Sequence, residues 1–407
     1  MKITILLPYA GISGGIRVIA IYAERLQARG HEVHLISTRH RWPSRRGRAW
    51  GAVRRIARTL RGAVEPSHLN DITVPHTALP HAGPITDADV PDGDVVIGTW
   101  WETIEWMQSL SASKGVQVAF MQGYETHLNQ PVERVQAAWT SAANKIVVAK
   151  WLVDLARDEF GDPNAVLVPN SVDLEHFHAS VRGRQDVPTV GLMYSQKMLK
   201  GCDICLAAIR QVQTSVPGMQ DLRIVAFGAD EVSSTLPVPE GTTYHRLPAQ
   251  AELPAIYASC DVWLFGSRRE GFGLPILEAM ACRTPVIATP AGAAPELLGE
   301  GGGIVLHSHE PSEMAGALAS VLALDDASWR HLSDDAHRVA TSYSWDDATD
   351  RFEEALRRVN SGKRMKGIGD GSARESKRDH HPCCSTMDDR PTLTTRHTGG
   401  EGSEEIR

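Results

Sequence analysis

Glu270 and Glu278 stand on either side of the run Gly271-Phe272-Gly273-Leu274-Pro275. Two carboxylates so placed could act as the acid and the nucleophile or base of a glycoside hydrolase, or they could bind hydroxyl groups. The residues between them favour the second reading. Pro275 suits the first turn of a helix, where its missing N–H would be unpaired anyway, so a helix is expected to start near Leu274. The loop glycines let backbone amides approach a ligand, and the helix N-terminus adds partial positive charge. Gly271, Phe272, Gly273 and Leu274 then form a cradle for an anion such as a phosphate. Glu278 lies about one turn further on, poorly placed for that phosphate but well placed to accept hydrogen bonds from a ribose diol. Glu270, ahead of the loop, would face hydroxyls of whatever the phosphate carries.

Such a loop needs a strand before it and a sheet beneath it. The first half of the chain repeats strand-then-helix punctuation. "KITILLP" is a short β-branched run, "GISGG" breaks it, and Ile19, Tyr22, Ala23 and Leu26 recur at helical period until Gly30, after which "EVHLIS" supplies another strand. That is a βαβ unit and predicts a parallel sheet. Further strands are expected at "DVVIGT", "VQVAFM", "KIVVA" and "AVLVPN". A second series follows at "TVGLMY", "RIVAFG", "TYHRL", "DVWLFG", "PVIAT" and "GIVLH", with helices over 203–216, 251–260 and 274–282. After Ser344 an amphipathic helix is expected, with Trp345, Ala348, Phe352, Ala355 and Leu356 on its apolar face. The expected division is a domain over 1–173, a linker over 174–187, a second domain over 188–343, the helix 344–360 and a disordered tail over 361–407, where apolar content collapses.

At 407 residues with 42% hydrophobic content, the chain can bury two ordinary cores. A net charge of −7 argues against a chain-wide nucleic-acid binder, so any anion site must be local. Scattered cysteines and the lack of a secretory apolar region predict a reducing cytoplasm. The Cys202/Cys205 spacing has no second pair at zinc-site distance and reads as core packing; no metal site and no cofactor are expected.

The segment from Glu270 to Glu278 closely resembles the E-x7-E signature of retaining glycosyltransferase family 4. Other stretches resemble the same family: the opening Gly-rich loop and helix, "VPNSVDLEHF" between the halves, "KGCDICLAAI" at a helix start, and "TPAGAAPELL" as a Gly-x-Glu loop. The resemblance covers roughly residues 1 to 360. It implies an α/β fold of GT-B type, two Rossmann-like domains facing across a cleft, the N-terminal one on the acceptor side and the C-terminal one binding a nucleotide-sugar donor. By the same resemblance Glu270 contacts the donor sugar and Glu278 the nucleotide ribose. Lys200 neutralises the diphosphate, the Gly15 amide binds it too, and no metal is required. The nucleoside diphosphate-sugar is then a substrate, and the acceptor is a glycan or lipid-linked glycan in cell-surface polysaccharide assembly.

Two positions depart from the family pattern. Tyr194 stands where an arginine is usual, leaving Lys197 to supply the charge, and Gln122 stands where a histidine is frequent. Gln122 and Glu125 are candidates for the acceptor side. "TWWET" and "MQGYE" are similar to a subgroup of rhamnan and O-polysaccharide rhamnosyltransferases. The departures keep a second reading open, a catalytically silent glycan-binding or scaffold protein of the same fold. Arg54, Arg55, Arg58 and Arg61 flank an apolar stripe of Val53, Ile56, Ala57 and Leu60, a pattern suited either to an anionic membrane surface at the inner face of the cell membrane or to docking on the first domain.

Overall fold

The computed structural model describes residues 1–39, 67–126 and 130–362. Arg54, Arg55, Arg58 and Arg61 lie outside them, as does nearly all of the expected tail. The N-terminal half contains β1 (Lys2–Leu7), α1 (Gly14–Ala28), β2 (Glu32–Ser37), β3 (His76–Ala78), β4 (Val95–Gly98), α2 (Trp101–Met107), β5 (Val116–Met121), α3 (Val132–Thr140), β6 (Asn144–Val147), α4 (Lys150–Asp158) and β7 (Val166–Leu167). The C-terminal half contains β8 (Thr189–Met193), α5 (Cys202–Ser215), β9 (Arg223–Gly228), β10 (Thr243–Arg246), α6 (Leu253–Ala258), β11 (Val262–Phe265), α7 (Leu274–Ala281), β12 (Val286–Ala288), α8 (Ala294–Gly299), β13 (Gly303–Val305), α9 (Pro311–Leu322), α10 (Asp326–Thr341) and α11 (Trp345–Asn360).

The strands form two sheets, ordered β3-β2-β1-β4-β5-β6-β7 and β10-β9-β8-β11-β12-β13, and every pairing in them is parallel. Central strands such as β4 and β11 are buried at every residue, as a sheet covered by helices on both faces requires. Each sheet reverses its winding once, at β1/β4 and at β8/β11. In open α/β sheets ligands bind beyond the carboxyl ends of the strands at such a point. Beyond the ends of β1, β8 and β11 come Gly15 in the first turn of α1, Lys200 and Glu270 respectively.

Edge strand β3 was not anticipated from the sequence. It is short and largely exposed, with no apolar run to announce it. Helices α9 and α10 were not read either.

Helix α11 starts at the expected place, where Ser344 and Asp347 cap each other reciprocally, Asp347 N–H to Ser344 Oγ at 3.1 Å and Ser344 N–H to Asp347 Oδ2 at 2.8 Å. Its apolar face crosses back onto the N-terminal half. Phe352 stacks on Tyr22 with ring centroids 4.4 Å apart and meets Phe120 edge-on at 5.1 Å, and Trp345 meets Tyr22 edge-on at 5.5 Å. The last helix therefore fastens the end of the second half to α1 and β5.

Candidate active site

Loops from the two sheets meet directly. Gly271 lies against the backbone of Gln122 and Gly123, and a Cβ at Gly271 would collide with the Gln122 carbonyl, so only glycine permits this approach. Trp151 of α4 donates its indole N–H to the Gly271 carbonyl at 2.9 Å. Glu296 of α8 accepts the Lys150 backbone N–H at 2.7 Å, which caps the N-terminus of α4 from the opposite half. Burial pushes the Glu296 carboxyl up, against the pull of the Lys150 and Trp151 amides. Arg269 reaches Thr126 Oγ1 at 3.3 Å.

Helix α7 begins at Leu274 with Pro275 in its first turn, as expected, and Gly273 caps it at φ 106°, in the left-handed region that glycine tolerates. The Phe272 side chain is buried, so that residue offers only its backbone to a ligand. Leu274 packs against Gly14, bringing the N-termini of α1 and α7 to the same place. Gly15 sits beside the Gln122 amide, which donates to the Gly15 carbonyl at 3.3 Å.

The charged groups are paired. Lys200, at the end of a short 3₁₀ turn after β8, donates to Glu270 Oε2 at 2.6 Å, and Ser267 Oγ reaches the same oxygen at 3.2 Å. Glu278 is buried, with both oxygens engaged: Arg17 Nη1 lies 2.9 Å from Oε1 and the Tyr257 hydroxyl 2.8 Å from Oε2. Lys197 is exposed at the head of the 3₁₀ turn. Tyr194 points into the core: its hydroxyl donates to the Leu236 carbonyl at 2.9 Å and accepts the Ser233 N–H at 2.9 Å. It holds the 233–236 loop and offers nothing to a phosphate. Glu125 follows Gln122 in the same loop, and burial pushes its carboxyl up to about 8, opposed by its own backbone amide. Cys202 and Cys205 are buried free thiols, with pKa values raised chiefly by desolvation, which fits packing.

Residues 184–324 match the family model described as Glycosyl transferases group 1. The chain is 26% identical to the D-inositol 3-phosphate glycosyltransferase of Acidothermus cellulolyticus across 84% of this chain and 85% of that protein. The match to the Streptomyces bingchenggensis protein of the same name reaches 30% identity but spans 50% of this chain and about half (51%) of that protein. In structure it resembles sucrose-phosphate synthase from Thermosynechococcus elongatus, with TM-score 0.66 and 16% identity over 89% of this chain and all (100%) of the other. It likewise resembles Anabaena HepE, solved in complex with UDP and glucose, with TM-score 0.65 and 16% identity over 88% and 99%. The fold is GT-B.

Sequence reasoning named Glu270, Glu278, Lys200, Gly15, the 271–274 loop, Gln122 and Glu125; the fold pairs Lys200 with Glu270, sets Gly271 against Gln122 and Gly123, and places Gly15 beside Gln122 where the loops of the two sheets meet. Sequence reasoning missed Arg17, Tyr257, Trp151 and Glu296. Arg17 had a readable signal, a cation in the first turn of a helix, where the dipole disfavours positive charge unless an anion is near. Glu296 lay within the quoted "TPAGAAPELL". Tyr257 and Trp151 look like ordinary core aromatics in sequence, and only the tertiary fold brings the Tyr257 hydroxyl to Glu278 and the Trp151 indole N–H to Gly271.

Among the described residues no cluster of His, Cys, Asp and Glu could hold a metal ion, and no helix is long and apolar enough to cross a membrane.

Proposed function

We propose that this protein transfers a sugar from a nucleoside diphosphate-sugar to an acceptor hydroxyl with retention of configuration and without a metal. The reading rests above all on one arrangement: the Lys200–Glu270 pair beside the glycine-lined start of α7, with Glu278 one turn further along. The diphosphate sits on the 271–274 amides and against Lys200 and the N-terminus of α1. Glu270 then turns to the sugar hydroxyls and Glu278 to the ribose diol. As the bond from the anomeric carbon to the diphosphate breaks, Lys200 and the two helix N-termini stabilise the departing charge. The acceptor oxygen bonds to the same face and its proton passes to the leaving diphosphate. Gln122 and Glu125 line the acceptor side.

UDP is the first donor nucleotide to test, since HepE was solved with UDP and glucose. Two acceptor classes compete. The resemblance to polysaccharide rhamnosyltransferases favours a glycan or lipid-linked glycan, with work at the cytoplasmic face of a membrane and the 54–61 arginines touching anionic lipid. The names of the relatives, D-inositol 3-phosphate glycosyltransferase and sucrose-phosphate synthase, favour a phosphorylated polyol or sugar.

Thermal shift with UDP, GDP and dTDP identifies the base, because a ligand bound only by the folded state raises stability by mass action. Release of nucleoside diphosphate from the matching sugar donors, with each acceptor class and with EDTA present, tests the rest. No stabilisation by any of the three diphosphates would refute the reading. Activity lost in EDTA and restored by magnesium would remove metal independence, and sedimentation with neutral as well as anionic liposomes would remove the charge-driven membrane contact.

A further inference from the structure

Arg17 is held by a carboxylate that the proposed function needs for something else. It projects from the first turn of α1 across the cleft to Glu278, with side-chain exposures of 22% and 9%, so the pair is largely out of water. Its guanidinium also lies over the Phe177 ring, 5.4 Å from the centroid. Arg17, Leu274 and Glu278 together line a residual cavity of about 10 Å³, enough for about one water. Arg17 therefore shares this cavity with the first residue of α7, where the proposed anion cradle begins.

We infer that Arg17 is a ligand of the donor diphosphate and exchanges Glu278 for it when the donor binds. This rests on the reading of the cleft as a nucleoside diphosphate-sugar site. Three observations carry it. A positive charge in the first turn of α1 is disfavoured by the helix dipole and calls for an anion at that spot. Tyr194 is turned into the core and cannot supply a cation, while Lys197 stands exposed at the rim of the β8 loop. The charge pattern is also reciprocal. Arg17 with Glu278 and Lys200 with Glu270 are two cation–carboxylate pairs, and a nucleoside diphosphate-sugar brings an anion for both cations and hydroxyl groups for both carboxylates. The exchange leaves no buried charge without a partner, which removes most of the penalty of breaking a desolvated ion pair. Tyr257 keeps its hydrogen bond to Glu278 Oε2 throughout, so the carboxylate stays oriented as Arg17 leaves. The planar guanidinium, able to donate to two phosphate oxygens at once and to slide over an aromatic face, suits this transfer better than lysine.

The test separates the diphosphate from the nucleoside. Calorimetric titrations use the full chain with whichever of UDP, GDP or dTDP binds it, and with the matching nucleoside. Arg17→Ala should weaken the diphosphate by about tenfold to a hundredfold, the loss expected for a charge-assisted pair. Nucleoside affinity should hold or rise, because Glu278 is freed. Arg17→Lys, which keeps the charge and loses the fork, should weaken the diphosphate less and leave the nucleoside unchanged; it carries the test should the alanine variant fail to melt cooperatively. Equal losses for nucleoside and diphosphate would make Arg17 a support for Glu278 and overturn the inference, as would an unchanged diphosphate affinity. Failure of the wild-type chain to bind any of the three diphosphates would instead bring down the reading of the cleft, and this inference with it.

Discussion

Lys200 Nζ lies 2.6 Å from Glu270 Oε2 across two loops of the same sheet, one leaving β8 and the other leaving β11 on the far side of the switch point. The pair is partly buried, and Ser267 steadies the carboxylate from behind. In the proposed reaction Lys200 exchanges Glu270 for the diphosphate and meets the negative charge that develops as the diphosphate leaves. Lys200→Ala should therefore lower turnover by about 10²–10³, the effect of removing a preorganised donor at a developing anion. Lys197→Ala, at an exposed position, should change it little. Steady-state kinetics on both variants decide, and the reverse order would move the role to Lys197.

Glu270 and Glu278 should fail in different ways. Glu278→Gln turns one acceptor oxygen into a donor facing the proposed ribose site, so nucleoside diphosphate binding should fall by about 1–3 kcal/mol. Glu270→Ala should cut turnover far more than nucleotide affinity, because its proposed partner is the sugar. Calorimetry with the nucleoside diphosphate checks the division; equal loss of affinity in both variants would contradict it.

Most strands were legible along the chain because parallel strands buried on both faces must be written as short apolar runs, and "DVVIGT" and "DVWLFG" are such runs. β3 escaped because an exposed edge strand has no such requirement. The carboxylates and glycines of the 270–278 stretch could be read because a tight approach and a helix start restrict which residues fit. Arg17 and Tyr257 could not be paired with Glu278 from the sequence, since nothing local records which helix face of one half meets which of the other. Tyr194 shows the converse: it stands where the resembled family has an arginine, and its ring turns inward to hold a neighbouring loop, which no local pattern announces.

Glu125, proposed for the acceptor side, offers a pH test of its own burial. Burial pushes its carboxyl up to about 8 from an unfolded value near 4.5, so the folded chain holds a proton that the unfolded chain has released. Between those values the native state binds more protons, and stability must fall as pH rises. The contribution is fully present below 4.5 and is lost as pH passes through about 8. Glu125→Gln stays neutral throughout. Its melting temperature should match wild type near the acid end of that window and exceed it at the alkaline end. Parallel melting profiles for the two proteins would mean that Glu125 is charged in the folded state.

The last prediction concerns the strap that α11 forms across the N-terminal half. Glu353 accepts from Arg29 Nη1 at 3.0 Å and meets His31 Nε2 at 2.9 Å, while Arg357 on its own helix reaches the same carboxylate. Burial opposes the charge, but Arg357, His31 and Arg29 outweigh it and draw the Glu353 carboxyl down to about 2. A depressed carboxyl stabilises the fold above its unfolded value, near 4.5, and that stability is lost as pH falls through the folded value near 2. Glu353→Gln keeps the size of the side chain and removes the charge. It should cost about 1–3 kcal/mol at neutral pH, the range for hydrogen bonds to charged groups, partly offset by solvent around Arg357. Thermal melts of variant and wild type should converge as the pH drops below 4.5, because the wild-type carboxylate is then being protonated as well. A deficit of the same size at every pH would point to lost packing between α11 and α1, where Phe352 and Tyr22 stack, instead of lost charge.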